Sequence, residues 1–298
     1  MKHRRDFIKT AALGTLGGAT ILAAREAKVK ENSSQEINSI QLAIATICSD
    51  GFGDENFEPT FKIAPKAGFR NIEFNCWYNR NLTPKGLRSI AARCQAQNLT
   101  PISIQGQSFG KSDTKEIAHK LWCMEAASKL GCKRVKFTGS KRGSNGGLHD
   151  IINTLKEIAP AAEEMGVLIC VENHVNNNLE NIADYEELFS AIDSPSVGLC
   201  LDTGHFDGAG ISIPDVIEKF HSRTNHVDLK DCKTFGEYKT VRFGEGITDL
   251  HGTIQALISH DYQGYLVIEQ APPISPDSLE QDLASAYQMF AKYISNDQ

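Results

Sequence analysis

The sequence predicts an α/β protein, a (β/α)8 barrel, on three observations. Short apolar, β-rich runs alternate eight times with longer segments of helical spacing from Ser39 onward. The alternating part, residues 40–298, has the length of such a barrel, which takes about 250 residues. An open doubly wound sheet would carry a Gly-rich phosphate loop after its first strand. The segment there, Ala45-Thr46-Ile47-Cys48-Ser49-Asp50-Gly51-Phe52-Gly53, is not that fingerprint.

The strands are expected at Ile40–Ile47, Phe69–Asn75, Thr100–Gln105, Arg134–Thr138, Val167–Glu172, Val197–Asp202, Asn225–Lys230 and Tyr265–Glu269. Helical spacing marks Thr83–Gln97, Thr114–Leu130, Gly147–Met165, Asp184–Ile192, Ser212–Phe220, Thr248–His260 and Ser278–Ile294, with a shorter helix near Phe57–Lys66. Thr83 before Pro84 reads as a cap followed by proline at the first helical position. Gly131 and Gly166 stand where a left-handed residue would end a helix.

The first residues read as an address. Lys2, Arg4, Arg5 and Lys9 precede a small, apolar run from Ala11 to Ala24. That is the pattern of a secretory signal, too short to span a bilayer. The paired arginines with Phe7 and Lys9 resemble the twin-arginine (Tat) signal. Residues 1–27 are therefore expected to be a Tat signal peptide, 28–39 a linker and 40–298 the barrel. The expected location is periplasmic or otherwise exported through the twin-arginine pathway, the Tat export machinery is the partner, and no stable membrane anchor is foreseen. The chain carries 31 Lys and Arg against 37 Asp and Glu, a net charge of −6. Loss of residues 1–24 removes four of these bases and one acid, and leaves the remainder near −9. An acidic chain has no general attraction for phosphate backbones, so no nucleic-acid partner is expected. The eight cysteines include no Cys-x-x-Cys pair. Export in the folded state is compatible with unpaired thiols.

Barrel active sites form at the C-terminal ends of the strands. The fifth strand ends on Glu172, the sixth on Asp202 and the eighth on Glu269, and the seventh carries His226. A carboxylate directly after an apolar strand is costly to bury unless something positive pairs with it. These four residues are expected to converge on one divalent ion. The oxygen-rich donor set suits Mn²⁺ best, with Mg²⁺, Co²⁺ or Zn²⁺ as alternatives.

Leu201-Asp202-Thr203-Gly204-His205, His226-Val227-Asp228-Leu229-Lys230-Asp231, Gly244-Glu245-Gly246 and Val267-Ile268-Glu269 resemble the xylose-isomerase-like TIM-barrel superfamily. Its members include sugar phosphate isomerases and epimerases, inosose dehydratases and endonuclease IV. The resemblance covers roughly residues 40–295. It implies that Glu172, Asp202, His226 and Glu269 hold the metal, and that Glu172 and Glu269 act as acid and base on opposite faces of the substrate. It places His205 on the substrate, with Arg242 the nearest match to a family arginine.

The expected function is a metal-dependent sugar isomerase or epimerase. It would act on a ketose, keto-sugar or polyol by proton transfer through a metal-stabilised enediolate. The alternatives are a lyase, dehydratase or hydratase on a keto-sugar or keto-glycoside in the same site, or a catalytically silent sugar-binding relative. One glutamate working alone would suit isomerisation or elimination. Glu73, at the end of the second strand, and Lys136, in the fourth, are further candidates for substrate contact, Lys136 also for neutralising Glu172. His174, two residues after Glu172, is expected to line the pocket. Lys230 and Asp231 read as an ion pair on the rim. No Gly-rich phosphate cradle is visible, which favours free sugars or polyols over sugar phosphates. Whether the protein forms a homo-oligomer is left open.

Overall fold

In a computed structural model of the chain, residues 39–51, 53–144, 146–270 and 278–294 are described. The expected signal at 1–27 and all of the linker but its last residue lie outside them.

Eight parallel strands close into a barrel. They are β1 (Ile40–Ala45), β2 (Asn71–Asn75), β3 (Thr100–Gln105), β4 (Arg134–Thr138), β5 (Leu168–Glu172), β6 (Val197–Asp202), β7 (Thr224–Leu229) and, closing the ring between β7 and β1, β10 (Gly264–Ile268). The outer helices are α2 (Glu58–Ala67), α3 (Pro84–Ala96), α4 (Thr114–Leu130), α5 (Gly147–Met165), α6 (Ile182–Ala191), α8 (Ile213–Phe220), α9 (Leu250–Ser259) and α10 (Leu279–Phe290). Short helices α1 (Ile47–Asp50) and α7 (Thr203–Gly208) follow β1 and β6. The expected elements are present within a few residues. The last expected helix ends earlier, in a 3-10 turn at Ala291–Tyr293, and Ile47 opens α1 rather than ending β1. Among the described residues no helix is long and apolar enough to cross a membrane.

Local chemistry explains the boundaries. Thr83 Oγ1 accepts from Gly86 N at 3.2 Å, and Asp113 accepts from Lys115 N and Glu116 N. Asn181 and Asp184 form a reciprocal capping box on α6. Gly131 (φ 80°) and Gly166 (φ 64°) end α4 and α5 in the left-handed region.

Strand residues alternate between two buried faces. Val135, Phe137, Ile169, Val171, Leu199, Leu201, Val227 and Leu229 are fully buried apolar residues of the main core. The alternate positions face the barrel axis, and there the content changes. Glu73, Ser103, Gln105, Lys136, Glu172, Asp202, His226 and Asp228 are all at most 2% exposed. Barrels are usually filled by layers of branched aliphatic side chains. This one is filled over its upper part by charge.

The chain also adds an antiparallel pair that periodicity did not mark, β8 (Asp231–Thr234) and β9 (Glu237–Val241), directly after β7.

Candidate active site

The upper mouth opens on a cavity of about 610 Å³, within the range of small-molecule sites. Its floor is formed by Gln105, Glu172, His205, Lys230 and Glu269. Trp77, Phe109, His174 and Tyr238 stand on its walls, with Ser140, Lys141, Ser144 and Asn177 also in the lining.

Glu172, Asp202, Asp228 and Glu269 each offer a carboxylate oxygen, all within 4.8 Å of one another and all buried. His226 is not in this group. In the β6–β7 register Asp202 lies opposite Asp228, whereas His226 lies opposite Cys200, two residues deeper. His226 Nε2 instead meets Glu73 Oε2 at 2.9 Å and Asp228 Oδ1 at 3.3 Å. The physical reason is period two: Asp228 shares the inward face with His226 and stands one step nearer the mouth.

Two ammonium groups are threaded through the carboxylates. Lys136 Nζ lies 2.6 Å from Glu73 Oε1, 2.7 Å from Asp228 Oδ2, 2.6 Å from Glu269 Oε2 and 3.9 Å from Glu172 Oε1. Its side chain is wholly buried and outside the cavity lining. The expected substrate contact by Lys136 is therefore corrected: carboxylates from β2, β7 and the end of β10 surround its ammonium. Glu73 is also walled off, receiving Ser103 Oγ at 2.6 Å besides Lys136 and His226. It lies outside the lining as well.

Lys230 Nζ donates to Asp202 Oδ2 and to Glu269 Oε1, the latter at 2.9 Å. It is no rim residue. Thr203 Oγ1 receives Lys230 N at 2.8 Å and donates to Lys230 O at 2.7 Å, pinning the lysine to the start of α7. A Cβ on Gly204 would lie 2.6 Å from Lys230 Cβ, so only glycine allows that approach. Asp231 does not pair with Lys230. Its carboxylate accepts Gly244 N, Gly246 N and Thr248 N, which folds the segment after β9. Gly244-Glu245-Gly246 is thus a turn, and Glu245 is outside the lining. Arg242, expected on the substrate, is tied to α10 instead. Its Nε meets Asp282 Oδ2 at 3.0 Å and its Nη2 meets Ser278 Oγ at 3.1 Å, outside the lining.

His205 and His174 do line the cavity. Their rings lie 3.8 Å apart, and Tyr238 stacks on His205 at 4.2 Å and 13°. Burial lowers the pKa of His205 well below its ordinary value, with Lys230 adding to the effect. A neutral ring is therefore presented to any ligand. His174 Nδ1 lies 2.9 Å from Val175 O, which assigns its proton to Nδ1 and its lone pair to Nε2.

The two glutamates of the floor differ. Glu269 has an ammonium on each oxygen. Glu172 receives Gln105 Nε2 at 2.8 Å on Oε2, while Oε1 is 3.9 Å from the Lys136 ammonium. Burial pushes the Glu172 carboxyl well above the usual carboxylate range, against the pull of Lys136. Burial also raises Asp202, to about 6. Glu73 goes the other way: burial would raise it, but Lys136 and His226 hold it at about 2.

Residues 61–292 match the family profile of the xylose isomerase-like TIM barrel. The chain belongs to that family. Among curated proteins it is similar to the inosose dehydratase of Clostridium botulinum (strain Alaska E43 / Type E3), 24% identical over 260 residues, covering 75% of this chain and 86% of the relative. It is also similar to the inosose dehydratase of Bacillus thuringiensis (strain Al Hakam), 28% identical over 267 residues, covering 80% and 82%. Among solved structures the IolI protein with a bound zinc atom superposes with a TM-score of 0.72 at 20% identity, covering 86% of this chain and 99% of that one.

Sequence reasoning missed Asp228, Gln105 and Tyr238, and placed Lys230 on the rim. Asp228 and Lys230 carry a readable signal, since they follow His226 at intervals of two. Gln105 ends β3 as Glu172 ends β5, a position that marks the mouth. Tyr238 has none, because its hairpin folds back over α7 through contacts distant from any strand-end pattern.

Proposed function

We propose that the protein is a dehydratase of the lyase class, acting on a keto-cyclitol or keto-sugar without phosphate. It would remove a proton next to a carbonyl and expel a hydroxyl from the neighbouring carbon. The observation that carries this reading is the inequality of the two cavity glutamates. Epimerisation needs a proton removed on one face and returned on the other, hence two available carboxylates. Here Glu269 has both oxygens taken by ammonium groups, whereas Glu172 has one oxygen beyond hydrogen-bond reach of any cation among the described residues. One free carboxylate counts against epimerisation and leaves isomerisation or elimination; in elimination the same group takes the proton and delivers it to the departing hydroxyl. The dehydratase names of the curated relatives favour elimination over isomerisation.

The buried quartet of Glu172, Asp202, Asp228 and Glu269 fits a hard divalent cation, because all four donors are carboxylate oxygens. We propose these four as its holders, with Mn²⁺ or Mg²⁺ favoured by the donors. When bound, such an ion supplies positive charge to the substrate oxygens. The residues of the chain do the rest. Glu172 moves the proton, because its Oε1 is the carboxylate oxygen of the cavity floor that no ammonium reaches within hydrogen-bond distance. Lys230 holds Asp202 and Glu269 in place and offers a positive group beside the developing enolate. Neutral His205, held between His174 and Tyr238, is placed to bind a substrate hydroxyl. Gln105 orients Glu172.

The test is incubation of the Mn²⁺-loaded protein with 2-keto-myo-inositol and related keto-polyols, read by proton NMR and mass spectrometry. Loss of one water from the substrate supports the proposal. Epimer formation without loss of water would refute it. We also propose that residues 1–27 direct export through the Tat pathway to the periplasm. Fusion of this segment to a folded reporter tests that, with Arg4→Lys/Arg5→Lys expected to block transport.

A further inference from the structure

Five carboxylates meet at the barrel axis: Glu73, Glu172, Asp202, Asp228 and Glu269. The Lys136 ammonium lies within 2.7 Å of three of them and 3.9 Å from a fourth. It approaches from β4, below the cavity, with no exposed surface. Two of the carboxylates it touches, Asp228 and Glu269, belong to the quartet that would hold a divalent ion. Their oxygens are therefore shared between a permanent cation of the chain and any cation that enters from above. Lys230 differs, since it reaches the quartet from the cavity side and lines that cavity. Lys136 has nowhere else to go: Glu73, itself fully buried, closes the other side of its ammonium.

We infer that Lys136 is a built-in cation of the metal centre, a positioning residue that offsets Asp228 and limits how tightly the quartet grips a divalent ion. This rests on the metal reading above, and goes beyond it by assigning a fixed lysine to the tuning of metal affinity. The physics is a competition. A positive charge held against two ligand carboxylates lowers the field that a second cation meets, and burial leaves little solvent to screen the effect. Without the lysine, the metal-free protein would hold uncompensated buried carboxylates, and a divalent ion would relieve them.

The test is Mn²⁺ binding by calorimetry, with Tm measured in the presence and absence of Mn²⁺. It uses the full chain and the variants Lys136→Gln, Asp228→Asn and their double. Lys136→Gln is expected to bind Mn²⁺ at least about tenfold more tightly than the parent. Its metal-free Tm should fall and its metal-dependent rise in Tm should grow. Asp228→Asn should bind more weakly than the parent. The double variant should regain part of the lost metal-free Tm and bind near the parent affinity. If Lys136→Gln fails to fold, a folded double variant with near-parental affinity carries the same conclusion. Parental binding with unchanged or weaker binding by Lys136→Gln, or a double variant no more stable than Lys136→Gln, would overturn the inference alone. No Mn²⁺ binding by the parent would overturn the metal reading and this inference with it.

Discussion

Glu172 and Glu269 stand at the ends of two barrel strands and carry the same chemical group, yet their surroundings differ. Glu172 is short of cations and rises in pKa through burial. Glu269 is bracketed by Lys136 and Lys230. Glu172→Gln is expected to lower turnover by about 10²- to 10⁴-fold, the usual scale of a lost general base, and added Mn²⁺ should not restore it. Glu269→Gln should act chiefly on metal affinity, so that its activity recovers as Mn²⁺ is raised. Titrating activity against Mn²⁺ in both variants separates the roles. Glu172, Asp202 and Glu269 were legible as strand-end acids because the residue after an apolar strand marks a barrel mouth. His226 lies outside the carboxylate quartet because the strand offers two inward positions at its end, and composition alone does not say which reaches the mouth. The β6–β7 register decides it: Asp228 stands opposite Asp202.

At the scale of elements, the barrel strands and outer helices followed from periodicity and caps, whereas the β8–β9 hairpin did not. Its strands are short, and β9 is exposed or half-exposed along its whole length, so it shows no apolar alternation. Asp231 organises the turn after β9. It is 2% exposed and accepts three backbone N–H groups from residues 244–248. Leaving such donors unpaired costs about 1–3 kcal/mol each. Asp231→Ala is thus expected to destabilise the fold by about 2 kcal/mol or more, read from urea denaturation. A change below about 0.5 kcal/mol would show that the turn folds without it. The β1–α2 connection makes a pH-dependent contribution. Burial raises the Asp50 carboxyl from 3.8 to about 7, despite hydrogen bonds from Thr60 and Ser49. The folded state therefore keeps a proton there that the unfolded chain has released, and this contribution to stability declines as pH rises from about 4 to 7. Asp50→Asn should flatten that part of the stability profile. Denaturation midpoints at pH 4.5 and 8 test it, and an unchanged slope would contradict it.

For the whole molecule, the notable property is a barrel axis filled with ions rather than aliphatic layers. The free, buried cysteines at its sides fit this arrangement. Cys200 Sγ donates to Asp228 Oδ2 at 3.1 Å, and Cys170 occupies a fully buried inward position on β5. Small side chains there leave room for the two lysines and the imidazole. That content was only partly legible. Each charged residue reads locally as an isolated inward position, and the closure of eight strands is what brings Lys136 on β4 against Glu73, Asp228 and Glu269. The same closure underlies the proposed lyase reading, because it ties down one of the two glutamates that face the cavity. The most direct test traces the fate of a keto-polyol in D₂O with the Mn²⁺-loaded protein. Loss of the α-proton coupled to loss of one water is expected, with both abolished by Glu172→Gln. Deuterium entering a recovered or epimerised substrate, with no dehydrated product, would contradict the assignment of a lyase.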